Sequence, residues 1–168
     1  MTHNTFKDKL LKLTSARYKH LLIFINTLKE SEDALSTLLR VHLATESILE
    51  ELIRLVFEEK SEPILSLELK YHQKLELISK LEIEKDWSLL PAHIVGSLRK
   101  LNKLRNQLAH NLDFSITNNQ VIELFMCIEQ PYGDMSTASI NTNLKRYAFF
   151  ILGGMLPKFE TINESSPD

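Results

Sequence analysis

A chain of 168 residues is most simply one domain, large enough to bury its own core. Its net charge of −2 excludes a chain-wide attraction to polyanions, so any nucleic-acid surface must be a local basic patch. A single cysteine, Cys127, excludes a disulfide framework and a cysteine-rich zinc site, while 30 Leu against four Val, with four Gly and five Pro, favours helix over sheet.

In chain order the pattern predicts six helical segments and no convincing strand. The first twenty residues mix Lys7, Asp8, Lys9, Lys12, Arg17 and Lys19 with leucines, unlike the uncharged stretch of an export signal. They begin a helix over about Phe6 to Lys29, capped by Thr5, with Phe6, Leu10, Leu13, Leu21, Ile25 and Leu28 inward. Ser31-Glu-Asp33 is a break and a new cap. A second helix runs from about Ala34 to Glu59, and Ser61-Glu-Pro63 should end it. Ile64 to Lys70 alternates apolar and polar residues, which suits a short extended piece. A third helix covers Tyr71 to Leu81, and a linker with Trp87, the one tryptophan, leads to a fourth over Ala92 to Leu112. A fifth covers Asn119 to Glu129, where Cys127 reads as a core filler. Pro131-Tyr-Gly-Asp134 is a turn, and a last helix covers Ile140 to Met155. The tail 161–168 reads as disordered, leaving 1–160 as the domain. The longest apolar run, Tyr147 to Leu156, holds Gly153 and Gly154 and stops at Pro157, too short for a membrane span. The expectation is a cytoplasmic all-α bundle of five to six helices with no membrane association.

Two helices carry charges on the wrong face. On a wheel of about 100° per residue with Leu98 at zero, Leu101, Leu108 and Leu112 fall at about 300°, 280° and 320°. Arg105, at about 340°, lies inside that apolar arc. Asn102, Asn106, Arg99 and His110 follow at about 40°, 80°, 100° and 120°, forming a polar border. Arg105 and His110 therefore diverge by about 140° and cannot share one face of a single ideal helix. In the second helix Leu35, Leu38, Leu39, Leu49, Ile53, Val56 and Phe57 form the apolar face, with His42 and Glu46 within it. An unpaired buried charge is costly, so the economical expectation is that Glu46 pairs with Arg105 and that His42 hydrogen-bonds nearby. His110 can move protons near neutral pH. Arg99, Lys100 and Lys103, with Asn102 and Asn106, surround it with groups suited to a phosphate.

Arg105-Asn-Gln-Leu-Ala-His110 resembles the Arg-polar-x-x-x-His motif of the HEPN superfamily, the higher eukaryote and prokaryote nucleotide-binding domain. The resemblance extends upstream: Glu46 matches a polar residue inside an earlier helix, and His72-Gln-Lys-Leu-Glu-Leu-Ile78 matches a lysine-containing helix before the motif helix. It implies a helical bundle acting as a metal-independent endoribonuclease, with His110 and Arg105 catalytic and Asn106 orienting groups beside them. It also implies a homodimer that sets two motifs across one cleft, and a toxin or phage-defence setting with an antitoxin partner. Many toxin members carry a tyrosine two residues after the histidine, where this chain has Leu112. That departure leads away from the best-known toxin branch and towards non-catalytic members, such as regulators resembling the mannitol operon repressor, which would bind a nucleotide, nucleic acid or protein. A third reading is structural, with Arg105 and Glu46 organising the core and His110 sitting at a helix end favoured by the dipole.

Other chemistry finds no pattern. Gly153-Gly154 lacks the Lys-Ser/Thr of a phosphate loop, and neither His-Glu-x-x-His nor Glu-x-x-His occurs. His3, His20, His72 and His93 have no ligand-like spacing, so neither a metal nor a cofactor is expected.

Overall fold

The structure, a computed structural model, describes residues 19–20, 23–29, 33–84, 87–111, 113–126 and 135–155. The cap at Thr5, the residues around Cys127, the turn at Pro131, Leu112 and the tail lie outside them. The chain is an all-α helical bundle. Residues 23–27 are helical (α1) and bury Ile25, with Leu28 just beyond them. Then come α2 (Ala34–Phe57), a 3-10 turn (Glu58–Lys60), α3 (Ser61–Leu65) and α4 (Tyr71–Ser79). A small antiparallel ribbon, β1 (Glu82–Glu84) with β2 (Trp87–Ser88), precedes α5 (Ala92–His110), α6 (Asn118–Phe125) and α7 (Ile140–Met155).

Capping chemistry explains the starts. Asp33 Oδ2 accepts from Ser36 N at 3.1 Å to open α2. Thr117 and Gln120 form a reciprocal capping box at α6, with Thr117 N donating to Gln120 Oε1 at 2.9 Å. Pro91 precedes α5, and its carbonyl takes the amides of Ile94 and Val95.

Two expectations are corrected here. Pro63 does not end the second helix. That helix stops at Phe57, where Glu58 adopts φ 47, and Pro63 sits in the first turn of α3, where its missing N–H is not needed. Arg54 Nε reaches across the break to Glu62 Oε1 at 3.2 Å. The stretch from Ile64 is accordingly helical at its start, not extended. The linker around Trp87, by contrast, contains the two-stranded ribbon that periodicity did not reveal.

α2 packs against α7, α4 and α5, and α7 against α5 and α6. Leu38, Leu49, Leu52 and Ile53 of α2 meet Leu75 and Ile78, Leu98 and Leu101, and Leu144, Ala148 and Ile151 in one buried cluster. Each of these leucines and isoleucines contributes about 1.5–3 kcal/mol by leaving water. Ser97 and Asn143 are fully buried beside this cluster and hydrogen-bonded. Ser97 Oγ donates to Leu124 O at 2.8 Å and meets Tyr147 Oη at 2.9 Å. Asn143 Nδ2 donates to Met135 O and to Asn118 Oδ1, both at 2.8 Å. No helix among the described residues is long and apolar enough to cross a membrane.

Candidate functional site

α5 ends at His110, two residues short of the predicted end, with Asn111 in an extended conformation. Its buried side is set by Ile94, Leu98, Leu101 and Leu104. The opposite side is the polar border, and there Arg99, Asn102, Lys103, Asn106, Gln107 and His110 line an open groove of about 400 Å³. Five residues singled out in the sequence are thus brought together, and Gln107, which was not, joins them. Gln107 lies at about 180° on the same wheel, four residues beyond Lys103, so extending the polar border by one residue would have found it.

Arg105 does not line the groove. It is half-buried on the α2 side of α5, as its angular separation from His110 requires, and its Nη1 donates to Asn106 Oδ1 at 3.4 Å. Lys100 also turns away, donating to Glu123 O of α6 at 3.0 Å. Arg99 lies in the groove but is held by Glu76, with its Nε 3.1 Å from Glu76 Oε1. That hydrogen bond, with the Arg99 charge, keeps the Glu76 carboxyl below the usual carboxylate range.

The expected pair between Glu46 and Arg105 does not form. Glu46 Oε1 accepts from Lys74 Nζ of α4 at 2.9 Å, and Lys74 also binds Glu50. Lys74 is only 8% exposed. Burial acts to lower its pKa, but the hydrogen bonds and charges of Glu50 and Glu46 outweigh burial and raise it. The reason for the exchange is angular. The buried face of α2 centres on Leu38, Val41, Thr45, Leu49 and Leu52, which places Leu39 and Glu46 at its edge, about 80–100° from Leu38. Leu39 is 38% exposed, contrary to its place in the predicted apolar face. Lys74 sits among the buried Tyr71, Leu75 and Ile78, so the wrong-face criterion applied to α4 would have revealed it.

His42 is 4% exposed and is fully accommodated. Its Nε2 lies 3.1 Å from Asn102 Oδ1, and its ring stacks on Tyr71 at 4.2 Å. Thr45 Oγ1 donates to His42 O at 2.7 Å, so Tyr71 Oη, 2.9 Å away, must donate to Thr45. Burial lowers the His42 pKa, the Asn102 hydrogen bond and Glu46 oppose this, and Arg105 adds to it. A neutral imidazole bonded to a carbonyl oxygen must present Nε2–H.

These bonds fix what the groove offers. Asn102 uses its carbonyl on His42 and Asn106 uses its carbonyl on Arg105. Each therefore has its amide nitrogen left to donate into the groove. With Lys103 and the imidazole of His110, neither of which has a hydrogen-bond partner among the described residues, the groove is a field of donors around a proton carrier. That composition suits a phosphate oxygen. Among the described residues no group of three or more His, Cys, Asp or Glu is placed to hold a metal ion. No family model matches this chain, and neither a curated protein nor a solved structure matches it.

Proposed function

We propose that this chain is a HEPN-like, metal-independent endoribonuclease. The observation that carries the reading is the α5 groove, where His110 stands among the amides of Asn102 and Asn106 and the ammonium of Lys103. In this reading His110 accepts the 2′-hydroxyl proton as that oxygen attacks the adjacent phosphorus. The P–O5′ bond breaks and the leaving oxygen takes a proton from water, leaving a 2′,3′-cyclic phosphate and a 5′-hydroxyl. Asn102, Asn106 and Lys103 stabilise the non-bridging oxygens as charge builds. Arg105 acts through Asn106 within one chain. A homodimer that sets two motifs across one cleft belongs to the proposal. A toxin or phage-defence setting, an antitoxin partner and a cytoplasmic location belong to it as well.

The position of Arg105 outside the groove, with Arg99 committed to Glu76, favours a second reading. There the fold is a non-catalytic regulatory module that holds a nucleotide or nucleic acid without cutting it. Incubation with total RNA in EDTA separates the two. The enzyme produces fragments ending in 2′,3′-cyclic phosphate, and His110→Ala abolishes them at an unchanged melting temperature. Absence of cleavage by wild type at high protein concentration overturns the first reading in favour of the second.

A further inference from the structure

Across the ridge formed by Lys103 and Gln107 lies a second depression, of about 190 Å³, between α5 and α6. Lys103 and Gln107 line both depressions, so the two adjoin on the surface of α5. Lys100 stands on the far side of the second one, fixed there by its bond to Glu123 O at 3.0 Å and still carrying two further N–H donors. Gln120 of α6 lines the same depression. Its Oε1 already accepts from Thr117 N at 2.9 Å and from Thr117 Oγ1 at 3.1 Å, so its amide nitrogen is the group left to donate. Leu104 and Leu124, both buried, add apolar carbon to its lining.

This lining differs from that of the His110 groove. Glu123 and the last carbonyls of α6 bring negative character, which disfavours a bare anion. A lining that mixes apolar carbon with donors and an acceptor instead matches a nucleobase, whose faces are apolar and whose edges carry both kinds of group. The volume takes one splayed base and not a stacked pair, which points to single-stranded RNA. Along α5, Lys103 and Lys100 lie about 10 Å and 15 Å from His110, a reach that an extended dinucleotide covers.

We propose that the α5–α6 depression is a nucleoside subsite for single-stranded RNA, holding the residue that adjoins the phosphate at His110, with Lys103 contacting the strand between them. The position of that phosphate rests on the ribonuclease reading, whereas binding is measured apart from cleavage.

The probe is a set of fluorescent hexaribonucleotides, 2′-O-methylated throughout to prevent cleavage, in homopolymers of each base and in an abasic version. Gln120→Glu is the decisive variant, because it keeps the capping oxygen on Thr117 and replaces the amide donor with an acceptor, and the abasic strand measures the effect of the negative charge it adds. Wild type should bind the base-bearing strands more tightly than the abasic one. Gln120→Glu should weaken them about fivefold or more beyond its effect on the abasic strand, as one lost hydrogen bond would, and change the order of preference among the bases. Lys100→Ala should weaken them by a similar factor, with an unchanged melting temperature in both variants. Equal affinity of wild type for abasic and base-bearing strands overturns the proposal, and so does wild-type affinity in both variants. An unmodified hexamer in EDTA reports cleavage separately. Binding without cleavage removes the ribonuclease and keeps the subsite, whereas cleavage with no effect of Gln120→Glu or Lys100→Ala does the reverse. No binding by wild type overturns the subsite, and the ribonuclease reading then stands or falls on cleavage alone.

Discussion

Glu46 on α2 is held by Lys74 on α4 at 2.9 Å, and this pairing separates Glu46 from Arg105 on α5. Lys74 is clamped between Glu46 and Glu50, whose side chains are 26% and 33% exposed. Removing the lysine leaves two adjacent, half-buried carboxylates without a cation. Lys74→Met should therefore destabilise the fold by about 2–4 kcal/mol, a magnitude set by an uncompensated charge in a partly buried site. Glu46→Gln should cost about 1 kcal/mol or less, because Glu50 still satisfies the lysine. Urea denaturation at neutral pH measures both.

Arg105 is half-buried with one weak bond to its neighbour Asn106, and His110 is exposed at the end of α5. Arg105→Ala and His110→Ala should each cost less than about 1 kcal/mol of stability, as expected of substitutions that create no cavity and orphan no buried partner. If the groove cuts RNA, both lose activity by far more than that, and thermal melting beside the RNA assay shows the split. A fall in melting temperature for Arg105→Ala as large as that for Lys74→Met would return Arg105 to a purely structural role.

His42 yields a pH dependence with a definite sign. Its folded-state pKa lies below the ordinary value of 6.5 because the ring is buried. As pH falls through 6.5 the unfolded chain takes up a proton that the folded chain refuses. Stability is then lost from about pH 6.5 down to the folded-state pKa, below which this loss levels off. Melting curves between pH 7.5 and 5 should show the decline, and His42→Gln, which cannot titrate, should flatten it. An unaltered slope in that variant would assign the pH dependence to other groups.

The two glycines of α7 should respond oppositely to alanine. A Cβ on Gly153 meets nothing within 4 Å, so Gly153→Ala gains helix propensity of about 1 kcal/mol and raises the melting temperature by about 2–4 °C. A Cβ on Gly154 would come within 2.6 Å of Ile94 Cδ1 on α5. Gly154→Ala should therefore gain less or lose stability, and Ile94→Val, which removes that methyl, should improve its tolerance. Calorimetry on the single and double variants reads the coupling.

Periodicity located α7 with the same ends as the structure, α2 and α5 to within two residues, and α4 to within two, because each has a wide apolar stripe and a readable start. It failed at Pro63, since a proline in a first helical turn and a proline that terminates a helix look alike in sequence. It failed at the Trp87 ribbon, whose strands are too short to show a period. The groove was legible because a wheel places Asn102, Asn106, Arg99 and His110 on one border whatever the tertiary context. Partners were not legible. A wrong-face charge announces that it has a partner but not which one, and Lys74 and Arg105 were both within the grammar of the sequence. Only the packing of α4 beside α2 decides that Lys74 reaches Glu46.

The hydrogen bonds of Ser97 bear on how α5 is oriented about its own axis. Leucines interdigitate with leucines at many azimuths of nearly equal energy, and a core this rich in leucine would tolerate a helix rolled by a fraction of a turn. Ser97 does not: a roll would pull its hydroxyl from Leu124 O and from Tyr147 Oη, stranding polar atoms in a dry interior. One small hydroxyl therefore acts as a key in a slot. It sets the compass bearing of the donor-lined side of α5, from Asn102 to His110, from well outside the groove.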